Sequence, residues 1–204
     1  MNLGLVTSFI IAGSLMILIV TLNLRVSQHA QELTLHSMVK THVEDISEII
    51  QSDISKIGYD RNNPIANSII VAEETIIEFR SNLFNGAPGT INRVRWELGI
   101  DPISNNPNHR LLTRTVFNPD GSIDVANSTE IALGVSRFQL NYFNQATFAP
   151  MATPVTGGDL DNIRRVQVIL EVQPREGINR WGGDTYFPTS SWTKVIVPIN
   201  LSLQ

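Results

Sequence analysis

From Leu3 to Leu24 the chain is apolar almost without interruption. Thirteen of these positions are Leu, Ile, Val or Phe, none is charged, and the breaks are Gly, Ala, Met and small polar residues. A helix over this run is roughly 33 Å long, close to the ~30 Å of a bilayer core. At about −0.3 to −0.6 kcal/mol each at the membrane centre, the apolar side chains outweigh Thr7, Ser8, Ser14, Thr21 and Asn23. The segment is expected in lipid, or in an equally apolar bundle. Gly4, Ser8 and Ala12 recur every four residues and form a small-residue stripe along which another helix can approach closely. The helical pattern continues past the apolar run, because no Pro or Gly occurs between Val26 and Ile57. There Val39, Val43, Ile46, Ile50, Ile54 and Ile57 follow one another at spacings of three and four and mark one apolar face. Lys40, Glu44, Glu48 and Asp53 fall mostly off that stripe. Gly58 is placed to end the helix as a C′ residue, and Asp60 to Pro64 reads as a turn. The pattern predicts one helix of about 55 residues, on the order of 80 Å long.

After Pro64 the period shifts from helical to alternating. Ser68 to Ala72 and Thr75 to Arg80 are rich in β-formers, Asn92 to Leu98 alternates cleanly, and Leu111 to Phe117 follows a loop of Asn and Pro. Asn118-Pro119-Asp120-Gly121 carries turn chemistry, with Pro presetting φ and Gly accepting a positive one. Ser122 to Val125 is therefore expected as the return strand of a hairpin. Gly134 to Phe143 and Ile163 to Gln173 have the strongest strand patterns. Trp192 to Leu203 is expected at an edge, since Pro198 cannot donate to a ladder. The fold class is α+β: an N-terminal assembly of membrane-spanning and amphipathic helix over residues 1–58, then a mainly antiparallel β-rich head over 59–204. The open apolar face of that sheet needs a cover, and the stripe from Val39 to Ile57 is the obvious one.

Composition narrows the function classes. Beyond the helix, 204 residues leave chain for one ordinary globular domain,. The net charge of −4 has no basic footprint for nucleic acid, and the absence of cysteine removes disulfides, thiolate nucleophiles and cysteine-bound metals together,. A cleaved signal peptide would need a basic start, a shorter apolar core and small residues before the cut. None of these is clear, so a retained anchor is expected. Arg25 is the one charge close to the apolar segment; taken literally, the positive-inside rule puts the C-terminal side in the cytoplasm.

Few side chains make a case for chemistry. His29, His36 and His42 are spaced by seven and six, which gives no compact metal pair on one helical turn. His109, in N-N-P-N-H-R, has no nucleophile motif beside it. Asp159 and Asp161, after Gly157-Gly158 and before Asn162, offer hard oxygen ligands for calcium, as do Asn118, Asp120, Ser122 and Asp124. The second set lacks a closing bidentate Glu and is explained by the hairpin. Arg93 and Arg95 share a strand face while Arg164 and Arg165 point opposite ways, which fits an exposed face laced with ion pairs. No cofactor is expected from these residues, with calcium at Asp159 and Asp161 the remaining option.

The order of parts resembles type IV pilins and the pseudopilins of type II secretion. More narrowly, Gln51 to Tyr59 (Q-S-D-I-S-K-I-G-Y) is similar to the segment ending the long helix in W-type minor pilins and J-type minor pseudopilins, where an acidic residue and then G-Y recur. Asn92 to Trp96, Leu111 to Thr115 and Val135 to Phe143 resemble that group's middle strands, and Ile163 to Val172 its late strand. The resemblance implies a non-enzymatic structural subunit of a pilus-like filament or pseudopilus. Such a subunit waits in the bacterial inner membrane, is extracted by a membrane assembly platform, and packs its helix against other copies or other pilin-like subunits in a cell-surface or periplasmic filament. Leu3, Gly4, Leu5, Ser8, Phe9, Ala12, Gly13, Met16 and Ile19 would then form the assembly helix, with Val39, Val43, Ile46, Ile50, Ile54 and Ile57 packing helix to sheet. The chain departs from these families in one place. They carry a glutamate at the fifth mature position, whereas position 5 is Leu5, or Phe9 if a leader ended at Gly4. The alternative is a single-span membrane protein whose β-rich extracytoplasmic domain binds a partner and never polymerises.

Overall fold

The computed structural model describes residues 3–84, 86–145, 149–179 and 185–201. Helix α1 runs unbroken over Leu3–Ser55. It stops two residues short of the end expected from the stripe, and a turn carries the chain to Gly58. Gly58 has φ +71°, the left-handed conformation that a Cβ would strain, and its N–H donates to Arg80 O at 3.0 Å,. The exit is fastened further by Asn82, whose backbone N–H donates to Tyr59 O at 2.7 Å and whose side-chain amide donates to Asp60 at 2.9 Å.

The head is a curled antiparallel sheet. Its strands are β1 (Ile69–Ala72), β2 (Ile76–Ser81), β3 (Asn92–Pro102), β4 (Arg110–Phe117), β5 (Thr129–Phe143), β6 (Arg165–Val172) and, after a two-strand ribbon of β7 (Ile178–Asn179) and β8 (Thr185–Tyr186), β9 (Ser190–Ile196). The main sheet has seven strands in the order β1-β2-β3-β4-β5-β6-β9. Strand β5 causes the curl. Its first part pairs with β4, from Thr129↔Arg114 to Val135↔Arg110, and its second part pairs with β6, from Val135↔Val172 to Phe143↔Arg165. The flank of β5 left open beyond β4 receives the β1–β2 turn: Leu140 N–H donates to Glu74 O at 2.7 Å, and Tyr142 Oη lies 2.9 Å from Glu73 O.

Three sequence expectations change. Ser122 to Val125 is not a strand: it makes one bridge, Ile123 to Phe117, and then turns. Strand β4 is flanked by β3 and β5, so a hairpin return had no full ladder left to join. Ile163 belongs to the end of a 3₁₀ turn over Gly157–Asn162, and the late strand starts at Arg165. The last strand stops at Ile196, before Pro198, and gives way to a 3₁₀ turn at Ile199–Leu201. It is nevertheless an edge strand, as expected. Leu203 lies outside the described residues.

One core joins helix and sheet. Val39, Val43, Ile46, Ile50, Ile54 and Ile57 are each at most 4% exposed and pack with Phe79, Trp96, Phe138, Leu140, Val168 and Leu170 from the inner face. Burying each such aliphatic side chain is worth about 1.5–3 kcal/mol. Gly134 sets the bend in β5. Its φ is +88°, and a Cβ there would lie 1.9 Å from Gln173 O. Gly134→Ala is therefore expected to lower stability by at least about 2 kcal/mol, read as a fall in the urea midpoint of the full chain in detergent. An unchanged midpoint would show that the bend is not fixed here.

Candidate assembly surface

Among the described residues, most of the exposed large hydrophobic side chains lie on the part of α1 that projects from the head. Leu5 is 56% exposed, Phe9 68%, Met16 70% and Ile19 57%. Gly4 and Gly13 have nothing within 4 Å of where a Cβ would stand. Ser8 and Ala12 are exposed as well, so the small-residue stripe is open along its length. The side chain of Leu3 lies outside the described residues. Three of the hydroxyls here are satisfied within the helix: Thr7 donates to Gly4 O and Ser8 to Leu5 O, each at 3.0 Å, and Thr21 donates to Ile17 O at 2.8 Å. This matters because hydrocarbon offers no hydrogen-bond partner. The helix carries no acidic residue in its first turn. It is long and apolar enough to cross a membrane, as a membrane anchor or a signal sequence would.

The junction between rod and head holds a feature that the stripe conceals. Asp53 was expected mostly off the apolar face, but it is buried, at 3% exposure. Lys40, Glu44 and Glu48 are exposed. The Asp53 carboxylate accepts from Arg114 Nε at 2.6 Å and Nη2 at 3.0 Å, and from Trp96 Nε1 at 3.0 Å. Arg114 also donates to Asn127 O. A sequence signal existed on both sides. Asp53 stands three residues after Ile50 and four before Ile57, hence on the stripe, and Arg114 has the inward parity of its β4 neighbours Leu112 and Val116.

His109 is wholly buried, at 0% exposure. Gly134 N–H donates to its Nε2 at 2.8 Å, which leaves Nδ1 as the protonated nitrogen, 2.8 Å from Ser104 Oγ,. Burial first, and then the positive charge of Arg175, hold its pKa below the ordinary 6.5. The imidazole thus clips the β3–β4 loop to the bend of β5. Nearby, the buried Asn106 side chain donates to Pro174 O at 3.0 Å and Gln173 Oε1 at 3.1 Å.

The remaining candidates are dispersed. His29 lies 3.9 Å from Glu32, His36 is exposed, and His42 Nδ1 is 3.2 Å from Leu133 O. Asp159 accepts from the Asn162 amide at 3.4 Å, while the Asn67 amide, turned to donate, reaches Asp161 at 2.9 Å. In the second oxygen-rich turn Asp120 accepts from the Ser122 amide at 2.9 Å and its hydroxyl at 2.6 Å, and Asp124 accepts from Asn127 at 2.7 Å. Among the described residues no three His, Asp or Glu side chains gather as a metal cluster. Arg93 and Arg95 do share the outer sheet face, where Arg93 meets Glu78 at 3.1 Å and Arg95 meets Glu97 at 2.9 Å. Arg164 turns back on its own chain, onto Ile163 O at 3.0 Å, and Arg165 lies over the Phe143 ring. Comparison with protein-family models, curated proteins and solved structures finds no match to this chain.

Two measurements test the junction. Asp53→Ala leaves the partly buried Arg114 guanidinium, 13% exposed, without its counter-charge, with an expected cost of about 2–3 kcal/mol, below that of breaking a fully buried pair,. The double change with Arg114→Met is expected to recover part of that loss in denaturant unfolding of the full chain. Equal losses in the single and double variants would mean that the pair carries no coupling. For His109 the unfolded imidazole takes a proton more readily than the folded one. Its contribution is therefore fully present above pH 6.5 and is lost as pH falls below that value toward the folded pKa,. Urea midpoints between about pH 5 and about pH 7.5 should fall more steeply for the wild type than for His109→Gln; parallel profiles would exclude this role.

Proposed function

We propose that the protein is a structural subunit of a type IV pilus-like filament or pseudopilus. In this reading α1 is first a membrane anchor and then part of a filament core. The observation that carries it is the continuity of α1: a single rod of 53 residues with one end clamped under the sheet and the other uncovered and apolar. An anchor alone needs no such rigid connection to its head. A subunit extracted from lipid into a bundle does, because the pull and the packing act on one end and the head must follow. Helices of this composition leave lipid at little net cost if they pack against one another. The partners are then other copies or other pilin-like subunits, the membrane before assembly, and an assembly platform; the role is structural and not catalytic. The location is the bacterial inner membrane, followed by a cell-surface or periplasmic filament.

One observation favours a second reading. The apolar run from Leu3 to Leu24 lacks the carboxylate that the pilin resemblance asks for within such a segment. A single-span protein with a β-rich binding head would not need that carboxylate. Electron microscopy of sheared extracellular material, with peptide identification, separates the two. The expected result is this chain within filaments, and a lower filament yield for Ser8→Leu at an unchanged membrane level. A chain found only in membranes, with or without Ser8→Leu, would favour the second reading.

A further inference from the structure

The outer face of the sheet opens into a cleft of about 310 Å³ where β2 ends, β3 begins and the chain turns after β4. Ile65 and Ile91 give it apolar walls, and Arg80, Arg93 and Asn118 are its polar residues. Arg80 and Arg93 are direct partners across β2 and β3, so two positive charges stand side by side on one face. Like charges in that position destabilise a sheet. Arg93 is held in place. Its Nη1 donates to Glu78 Oε1 at 3.1 Å, and its guanidinium lies 4.6 Å from the centre of the Phe117 ring. Glu78 is buried and shared with Arg95, at 3.5 Å, and Arg95 is also paired with Glu97. Arg80 is exposed and has no side-chain partner among the described residues. Asp120, in the adjoining turn, commits one carboxylate oxygen to the Ser122 amide and hydroxyl.

A fixed guanidinium on an aromatic face, a second one free beside it, and aliphatic walls match an anionic group on a small body with an apolar face. Arginine presents several N–H donors in a planar fork, and anions draw charge-assisted bonds from it. The volume is at the small end of ligand pockets. We propose that the Arg80–Arg93 cleft binds a monosaccharide-sized anion, carrying a carboxylate or a phosphate.

The place of the cleft in the fold excludes one source. Arg80 O accepts the Gly58 N–H just beyond the head end of α1. From Leu24 to Gly58 a helical rise of 1.5 Å per residue gives roughly 50 Å. With the apolar half of α1 in a membrane, the cleft lies far beyond the headgroups of that membrane. This step rests on the anchoring proposed above, whereas the binding test does not.

The test is calorimetric titration of the full chain in an uncharged detergent at about 150 mM salt, an ionic strength that screens loose surface attraction. The probes are D-glucuronate, D-glucose 6-phosphate and, as the neutral control, D-glucose. Saturable binding of at least one of the two anions, and none of glucose, is expected, and which anion binds identifies the group. Arg80→Gln should weaken it about tenfold or more, the value of one charge-assisted contact, with the near-ultraviolet dichroism of the head unchanged. Lys40→Gln, on the exposed side of α1, should leave binding as it was. The proposal falls if neither anion saturates, if glucose binds equally, if Arg80→Gln binds like the wild type, or if Lys40→Gln weakens binding as much as Arg80→Gln does.

Discussion

A single rigid helix has to satisfy two surroundings along its length, and most of the protein follows from that. Over its first half every side of α1 is apolar, so that half is stable only where water is absent. Over its second half one face alone is apolar, and it must lie against something shaped to receive a cylinder. A flat sheet would cover a narrow line of such a helix. The sheet here curls because β5 changes partner halfway, from β4 to β6, and its freed flank takes the β1–β2 turn. Gly134 permits the change of direction and the buried His109 fastens it to the β3–β4 loop. The strand that looks unusually long is the element that makes a helix-shaped trough.

The apolar stripe by itself would not fix where the helix lies in that trough. Val and Ile recur every three or four residues, so a slip of one turn, about 5.4 Å, exchanges one aliphatic side chain for another at modest cost. Asp53 removes the ambiguity. Within reach of Arg114 and Trp96 it is satisfied by three donors; a turn away it would be a buried carboxylate without them, and Arg114 a partly buried cation without its counter-charge,. The pair adds little net stability over apolar replacements of the same shape. Its contribution is to axial position and rotation, which apolar packing leaves loose.

What the sequence made legible tracks the range of the interaction that decides each feature. The long helix, its left-handed stop at Gly58 and its buried stripe depend on neighbours three or four residues away, and all were readable. So were most strands, because alternation is local. The hairpin return after Gly121 was misread because its fate depends on β5, which claims part of the same edge of β4. Trp192 to Leu203 was drawn too long because the apolar pattern continues through Val197 and Ile199 while the ladder ends at Ile196. Asp53 was misplaced for a different reason. Its spacing put it on the stripe, but a carboxylate reads as solvent-facing until its partner is known, and that partner lies sixty-one residues away. His109 shows the same limit, with partners on two separate elements. The open half of α1 was legible as apolar, because its composition alone decides that.

The two ends of α1 specify position by different means. At the head end a charge pair selects one setting among several that apolar packing would accept. Along the apolar half, from Leu3 to Leu24, no side chain is charged. In the filament proposed here, contacts between helices must then be selected by shape alone, through Gly4, Ser8, Ala12 and Gly13, where backbones can approach. Shape selection of that kind is tolerant along the helix axis. It also spares the chain the cost of holding a carboxylate in lipid before assembly. A subunit built this way keeps a strict relation between its own rod and head and a looser one with its neighbours.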